Sequence, residues 1–295
     1  MPLRNLARKM LIDGAVSLGC DARSRRRQLD RMRTRGKREA IVLMLHGTPP
    51  SLATALRRHL AWLAEHFELV DFTAFKRLWQ EPASSASGRP AALLTFDDGL
   101  ASQYDVAAPL LEEVGTRGVF FVVPEFCGLR GDEAGRFYAD VLRSPAGHPR
   151  QPMTPRQVRE LADRGHAIGS HTLSHARLSE TSPAETERQI VAASDSIQAW
   201  TGRPVEAFAW TYSNDAITPA AHALASRRHA WCFTPCPGWI DPQVDSPRLI
   251  WRTNVEAWFG SAEWRFLCSD LGDRLWRRRR ESLRRRLSSR AREAR

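Results

Sequence analysis

Short apolar runs recur along the chain, separated by polar stretches long enough to hold a helix: AIVLML (40–45), FELVDF (67–72), AALLTF (91–96), GVFFVV (118–123), HAIGS (166–170), VEAFAW (205–210), AWCFT (230–234) and LIWRTNV (249–255). Several are apolar throughout, the pattern of parallel strands covered on both faces. Helical patterns between them carry their own punctuation. In 154–164, Thr154 reads as the N-cap, Pro155 as the first helical residue and Gly165 as the stop. In 182–201, Ser182 and Pro183 open a helix, Ile190, Ala193, Ile197 and Trp200 form its apolar stripe, and Gly202 closes it. This alternation predicts an α/β architecture, and about eight strands are compatible with a barrel. PASSASGRP (82–90) reads as a surface loop.

In such a fold catalytic groups collect at the carboxyl edge of the strands. Asp97 and Asp98 end the 91–96 run, and Gly99 follows at once. An unpaired buried carboxylate is costly, and two side by side repel, so a neighbouring metal ion would explain them. Taken on this stretch alone, acids that face water or cap the next helix are the simpler explanation. His171 and His175 directly follow the run at 166–170. At i, i+4 they can face the same way, and neutral imidazoles suit zinc and similar ions. With one aspartate they form a two-histidine, one-carboxylate set that leaves positions open, the mark of a catalytic site. A lone pair of histidines at this spacing is more often surface or core, but its coincidence with DDG at a second strand end weakens that reading.

With LLTFDDG and SHTLSH in this order, and VLMLHG, GVFFVV, LADRGHAIGSHTLSHARLS and TGRPVEAFAWTYSN around them, the chain resembles the polysaccharide deacetylases of the NodB-homology type, carbohydrate esterase family four. The resemblance spans roughly residues 39–258. It implies a distorted (β/α) barrel of about seven to eight strands that removes N-acetyl groups from an acetylated amino sugar in a polysaccharide, oligosaccharide or lipid-linked sugar. It also implies that Asp98, His171 and His175 bind a divalent metal, usually zinc, and that Asp97 is the general base. Gly99 would allow a tight turn beneath the site, and Thr172 could steady the histidine loop by a side-chain hydrogen bond. The expected division is a basic amphipathic segment (1–38), the deacetylase domain (39–262) and an Arg-rich amphipathic tail (263–295).

The sequence departs from the family in two places. The third motif, commonly R-P-P-Y-G or A-Y-P-Y-G, here reads Ala209-Trp210-Thr211-Tyr212-Ser213. Tyr212 could still offer the backbone N–H that holds the oxyanion in the family. Arg252 matches an arginine found late in the A-Y-P-Y-G branch and is either an orienter of Asp97 or an ordinary barrel-edge ion pair. The family's late L-x-H histidine is missing, and His46, ending the first predicted strand, is either the best substitute for the proton donor or a histidine hydrogen-bonded in a loop. If these departures remove catalysis, the alternative is a catalytically inactive carbohydrate-binding homologue.

Composition sharpens the picture at the ends. The net charge of +11 is concentrated in residues 1–38, with 12 Lys/Arg against 3 acids, and 271–295, with 11 arginines against 3 acids. The body between is mildly acidic, which argues against a nucleic-acid-binding core. Leu3, Leu6, Ala7, Met10 and Leu11 share one face, while Leu271, Leu275, Trp276, Leu283 and Leu287 interleave with arginines. Such amphipathic ends suit an anionic membrane surface. No run approaches the roughly 20 apolar residues of a membrane span. The N-terminal apolar segment is broken by Asp13, so the chain reads as cytoplasmic and peripheral at the inner membrane. Five scattered cysteines suggest buried free thiols, with Cys232 and Cys236 too weak a pair to indicate zinc.

Overall fold

The computed structural model describes residues 11–35, 39–81, 88–142 and 151–293. Leu3, Leu6, Ala7 and Met10 of the N-terminal apolar face lie outside them, as does most of the 82–90 loop. Nine strands form one sheet among these residues: β1 (Ala40–Leu45), β2 (Glu68–Leu69), β3 (Ala91–Phe96), β4 (Val119–Val122), β5 (Ala167–Ser170), β6 (Ala207–Ala209), β7 (Trp231–Phe233), β8 (Trp239–Ile240) and β9 (Thr253–Asn254). Their order is 7-6-5-4-3-1-8, with β2 added to β3 and β9 to β1. All pairs are parallel except β1 with β8. A Phe233–Ile250 bridge ties β7 to the residues leading into β9, which pairs with β1. The segment 250–254 thus bridges β7 to β1, and the curled sheet forms an open, distorted (β/α) half-barrel.

Helices surround it, among the described residues α1 (Cys20–Arg35), α2 (Ala53–His66), α3 (Phe72–Arg77), α4 (Ala108–Glu113), α5 (Gly131–Arg136), α6 (Pro155–Asp163), α7 (Pro183–Thr201), α8 (Pro219–Arg228), α9 (Ser261–Leu267) and α10 (Asp270–Glu293). The continuous apolar strands follow from burial on both faces. In β1, Ala40 and Val42 face one core while Ile41, Leu43 and Leu45 face the other, and β3 divides the same way. The helix boundaries follow local chemistry. Thr154 and Gln157 form a reciprocal capping box at α6, Ser182 caps α7, and Gly165 and Gly202 turn into the left-handed region.

Two elements differ from the sequence expectation. The run 249–255 is a strand only at 253–254, because the Arg252 N–H donates to the Cys236 carbonyl (2.9 Å) and leaves the ladder. The C-terminal segment is helical, as its amphipathic pattern predicts, but one face of it docks on the body of the protein. Leu283 is buried in the core, and Arg280 donates to the Pro237 carbonyl (2.7 Å) and to Asp273 (2.9 Å). The two basic ends meet through the few acids they contain: Arg31 with Asp270 (3.0 Å), and Arg265 with Asp21 (2.9 Å). No helix among the described residues is long and apolar enough to cross a membrane.

Candidate functional site

The carboxyl ends of β3 and β5 bring the two motifs together. After β3 the backbone turns at Asp98 (φ 78°) and Gly99 (φ 76°), and a Cβ on Gly99 would press on Val122 at 3.3 Å. After β5 the histidine loop turns at Thr172 (φ 62°) and His175 (φ 57°). Thr172 Oγ1 accepts the Ala176 N–H (3.1 Å), the side-chain bond foreseen for it. Buried Gln189 on α7 fastens the same loop, its Oε1 accepting from the N–H groups of Leu173 and Ser174 at 3.0 Å each. Asp98, Thr172, His175 and Tyr212 are the four non-glycine positive-φ residues among those described. Each such conformation costs about 1–3 kcal/mol, so strain offset by packing elsewhere is concentrated here.

Asp98, His171 and His175 each direct one ligand atom into a common space, all within 4.8 Å of one another. Asp98 Oδ1 lies 3.7 Å from His171 Nε2 and 3.6 Å from His175 Nε2. Ligands about 2.1 Å from one tetrahedral ion stand about 3.4 Å apart, so the spacing fits a metal with little adjustment. His171 Nδ1 donates to the Ala209 carbonyl (3.0 Å), which fixes its tautomer and leaves the Nε2 lone pair for the ion. Burial holds the pKa of both histidines below the usual value, favouring the neutral imidazoles a metal requires. Burial, together with the charges of Asp97 and Glu256, raises that of Asp98.

Asp97 stands in the opposite environment. Arg252 grips it with two parallel hydrogen bonds, Nη1 to Oδ1 at 2.6 Å and Nη2 to Oδ2 at 2.9 Å, and both side chains are almost wholly buried. Burial alone would raise the Asp97 pKa, but the guanidinium charge and bonds, with His171 and His46 nearby, bring it below the ordinary value. The adjacent carboxylates therefore differ: Asp98 lies between both histidines, whereas Asp97, 3.8 Å from His171 Nε2, is held by an arginine.

His46, ending β1, does reach this edge. Its Nδ1 lies 2.6 Å from Glu256 Oε1, and its N–H donates to Glu256 Oε2 (3.2 Å). Burial would lower the His46 pKa, yet Glu256, with Asp98 and Asp97, pushes it up to about 10. Sequence reasoning missed Glu256, although its position two residues beyond β9 places it at the same edge as Asp97 and Asp98. The altered third motif packs on the histidine loop. Thr211 Oγ1 donates to the Ala176 carbonyl (2.7 Å), and the Tyr212 and His175 rings lie 5.0 Å apart. His46, Asp97, Asp98, His171, His175, Tyr212 and Glu256 all line one cleft of about 540 Å³. Arg252 lies buried behind Asp97. Cys232 and Cys236 are buried free thiols, and burial pushes Cys232 up to about 12.

Residues 84–227 match the polysaccharide deacetylase family. A chitooligosaccharide deacetylase of Sinorhizobium fredii is 25% identical over 167 residues, 55% of this chain. The match covers 66% of that relative, just under two thirds of its length. A de-N-acetylase from Aggregatibacter actinomycetemcomitans shares the fold with a TM-score of 0.62 at 19% identity, covering 78% of this chain and 99% of that one. A polysaccharide deacetylase from Bacillus cereus does so with a TM-score of 0.59 at 15% identity, covering 77% of this chain and 68% of that one.

Proposed function

We propose, from the match of residues 84–227 to the polysaccharide deacetylase family, that the chain is a metal-dependent hydrolase of that family removing the N-acetyl group from an acetylated amino sugar. One observation carries the reading: a metal-spaced Asp98–His171–His175 set beside an ionised, arginine-held Asp97 in a single cleft. The donor set of two neutral imidazoles and one carboxylate suits zinc. When bound, the ion supplies Lewis acidity toward water and toward an amide carbonyl.

The chain's own residues divide the remaining work. Asp97 takes the proton of the attacking water, and Arg252 holds it ionised and oriented. The Tyr212 N–H serves the developing oxyanion in place of the family's proline-containing turn. His46, kept protonated by Glu256, hands a proton to the leaving amine and so replaces the missing late histidine. The outer face of α10 extends the reading to an anionic membrane surface: Arg277, Arg278 and Arg285 are exposed there, and so is Leu275.

The test is acetate release from N-acetylglucosamine oligomers with zinc or cobalt, and with a chelator. Asp98→Ala, His171→Ala and His175→Ala should lose metal and activity together, whereas Asp97→Asn should lose activity and keep metal. Equal metal loss in all four would overturn the roles. No release from any acetylated amino sugar after reconstitution would leave the inactive carbohydrate-binding homologue.

A further inference from the structure

The cleft holding the metal ligands does not end at Tyr212. A second cleft of about 580 Å³ opens beside it, and the two share Tyr212, Pro235, Asn254 and Phe259 as a common wall. The Tyr212 ring lies 5.0 Å from that of His175, so the second cleft begins about one ring's width from the metal ligands. Its far wall is α10, which contributes Trp276, Arg279, Leu283 and Arg286. These positions fall on one helical face, since i, i+3 and i+7 lie one above another.

The two halves differ in charge. Three carboxylates, Asp97, Asp98 and Glu256, line the first, with Asp97 paired to Arg252 and Glu256 to His46. The second holds the guanidinium groups of Arg279 and Arg286, and its carboxylate, Asp215, is shared: it pairs with Arg177, accepts from Ser213 and feels the charge of Arg286. Arg279 lies 4.7 Å over the Trp276 ring and has no carboxylate partner among the described residues. Arg286 donates to the Asn214 carbonyl, which draws it along the cleft wall. The arginine run of α10 is thereby sorted by face. Arg280 and Arg284 bind the body, through Asp273 and Asp245, while Arg277, Arg278 and Arg285 lie exposed outside the cleft. A volume of this size suits a small ligand. A guanidinium fork prefers planar or tetrahedral oxyanions.

We propose that this second cleft is a subsite for an oxyanion, phosphate or carboxylate, borne by the substrate next to the sugar that is deacetylated. The sugar's identity rests on the deacetylase reading; the anion preference does not. The experiment is calorimetry on the zinc-loaded full chain with three probes: N-acetylglucosamine, N-acetylglucosamine 1-phosphate, and an N-acetylglucosamine–glucuronate disaccharide. At low salt an anionic probe should bind at least about tenfold tighter than the neutral sugar, and the tighter of the two names the source of the anion. That advantage should shrink as salt screens the arginines and disappear in Arg279→Gln and Arg286→Gln. Arg279 is exposed on its helix, so its replacement spares folding. The preference should survive in metal-free His171→Ala, which separates it from ligation at the metal. Equal affinity for neutral and charged probes, or a preference unmoved by both arginine variants, overturns the subsite. An anion preference that persists without any acetate release would sink the deacetylase reading and leave the subsite standing.

Discussion

Replacing Arg252 by methionine removes a charge and its hydrogen bonds while keeping much of the side chain's length. Arg252 is wholly buried, binds both oxygens of Asp97 at 2.6 and 2.9 Å, donates Nε to the Thr234 carbonyl at 3.1 Å, and stands 5.2 Å over the Phe121 ring. The variant leaves Asp97 ionised, buried and next to Asp98 with no guanidinium to offset it. Breaking a buried pair from one side costs about 3–5 kcal/mol. At about 2 °C per kcal/mol for a large domain, the melting temperature should fall by about 6–10 °C. Chelation should deepen the loss, because it takes away another positive charge near Asp97. The double variant Arg252→Met, Asp97→Leu removes both charges and should regain most of the stability, since apolar replacement of a buried pair is often neutral. It should regain no activity. Circular-dichroism melts of the full chain, with zinc and with chelator, read all three quantities. If Arg252→Met melts within about 1 °C of wild type, or if the double variant is no more stable than the single, the buried-pair argument is wrong.

Two further outcomes follow from the site and the outer helix. Because Glu256 helps raise the His46 pKa to about 10, His46 keeps its proton through neutral pH, and the stability this contributes is full below about 6.5 and lost as pH rises through about 10. Glu256→Gln should therefore pull the alkaline limb of kcat/KM down toward neutral pH; a limb that stays in place removes His46 from the role of acid. For the membrane reading, the chain should sediment with phosphatidylglycerol-rich vesicles at low salt, and combined Arg277→Gln, Arg278→Gln and Arg285→Gln should weaken this by roughly 100-fold at about 1 kcal/mol per basic residue. Those exposed positions serve better than a truncation, which would strip Leu283 from the core, and indifference to vesicles at low salt ends the proposal.

What the sequence disclosed and what it hid divide along physical lines. β1 and β3 were legible because both faces are buried, so every residue of AIVLML and AALLTF is apolar except Thr95, whose hydroxyl donates to the Leu43 carbonyl (2.9 Å). The helix starts at Pro155 and Pro183 were legible because the capping residues act within one turn. The metal ligands stood out because two carboxylates and two histidines end otherwise apolar runs. The His46–Glu256 pair was not legible: its members are 210 residues apart and meet only because β9 pairs with β1. The need for Gly169 was hidden for the same reason. A Cβ there would lie 2.4 Å from Phe121, the ring beneath Arg252, and no local pattern reports that approach. The arginines of α10 are the hardest case. Counted along the chain they are one basic run, and a solvated tail satisfies that count. Arg280 is buried because Gly238 leaves room for it, a Cβ there falling 2.6 Å from its Cδ. Charge is additive along a sequence, whereas burial depends on helix phase against a surface assembled from distant strands. The same residue type therefore serves as a strut at 280, as a cleft wall at 279 and 286, and as an outward charge at 277, and only the folded chain distinguishes them.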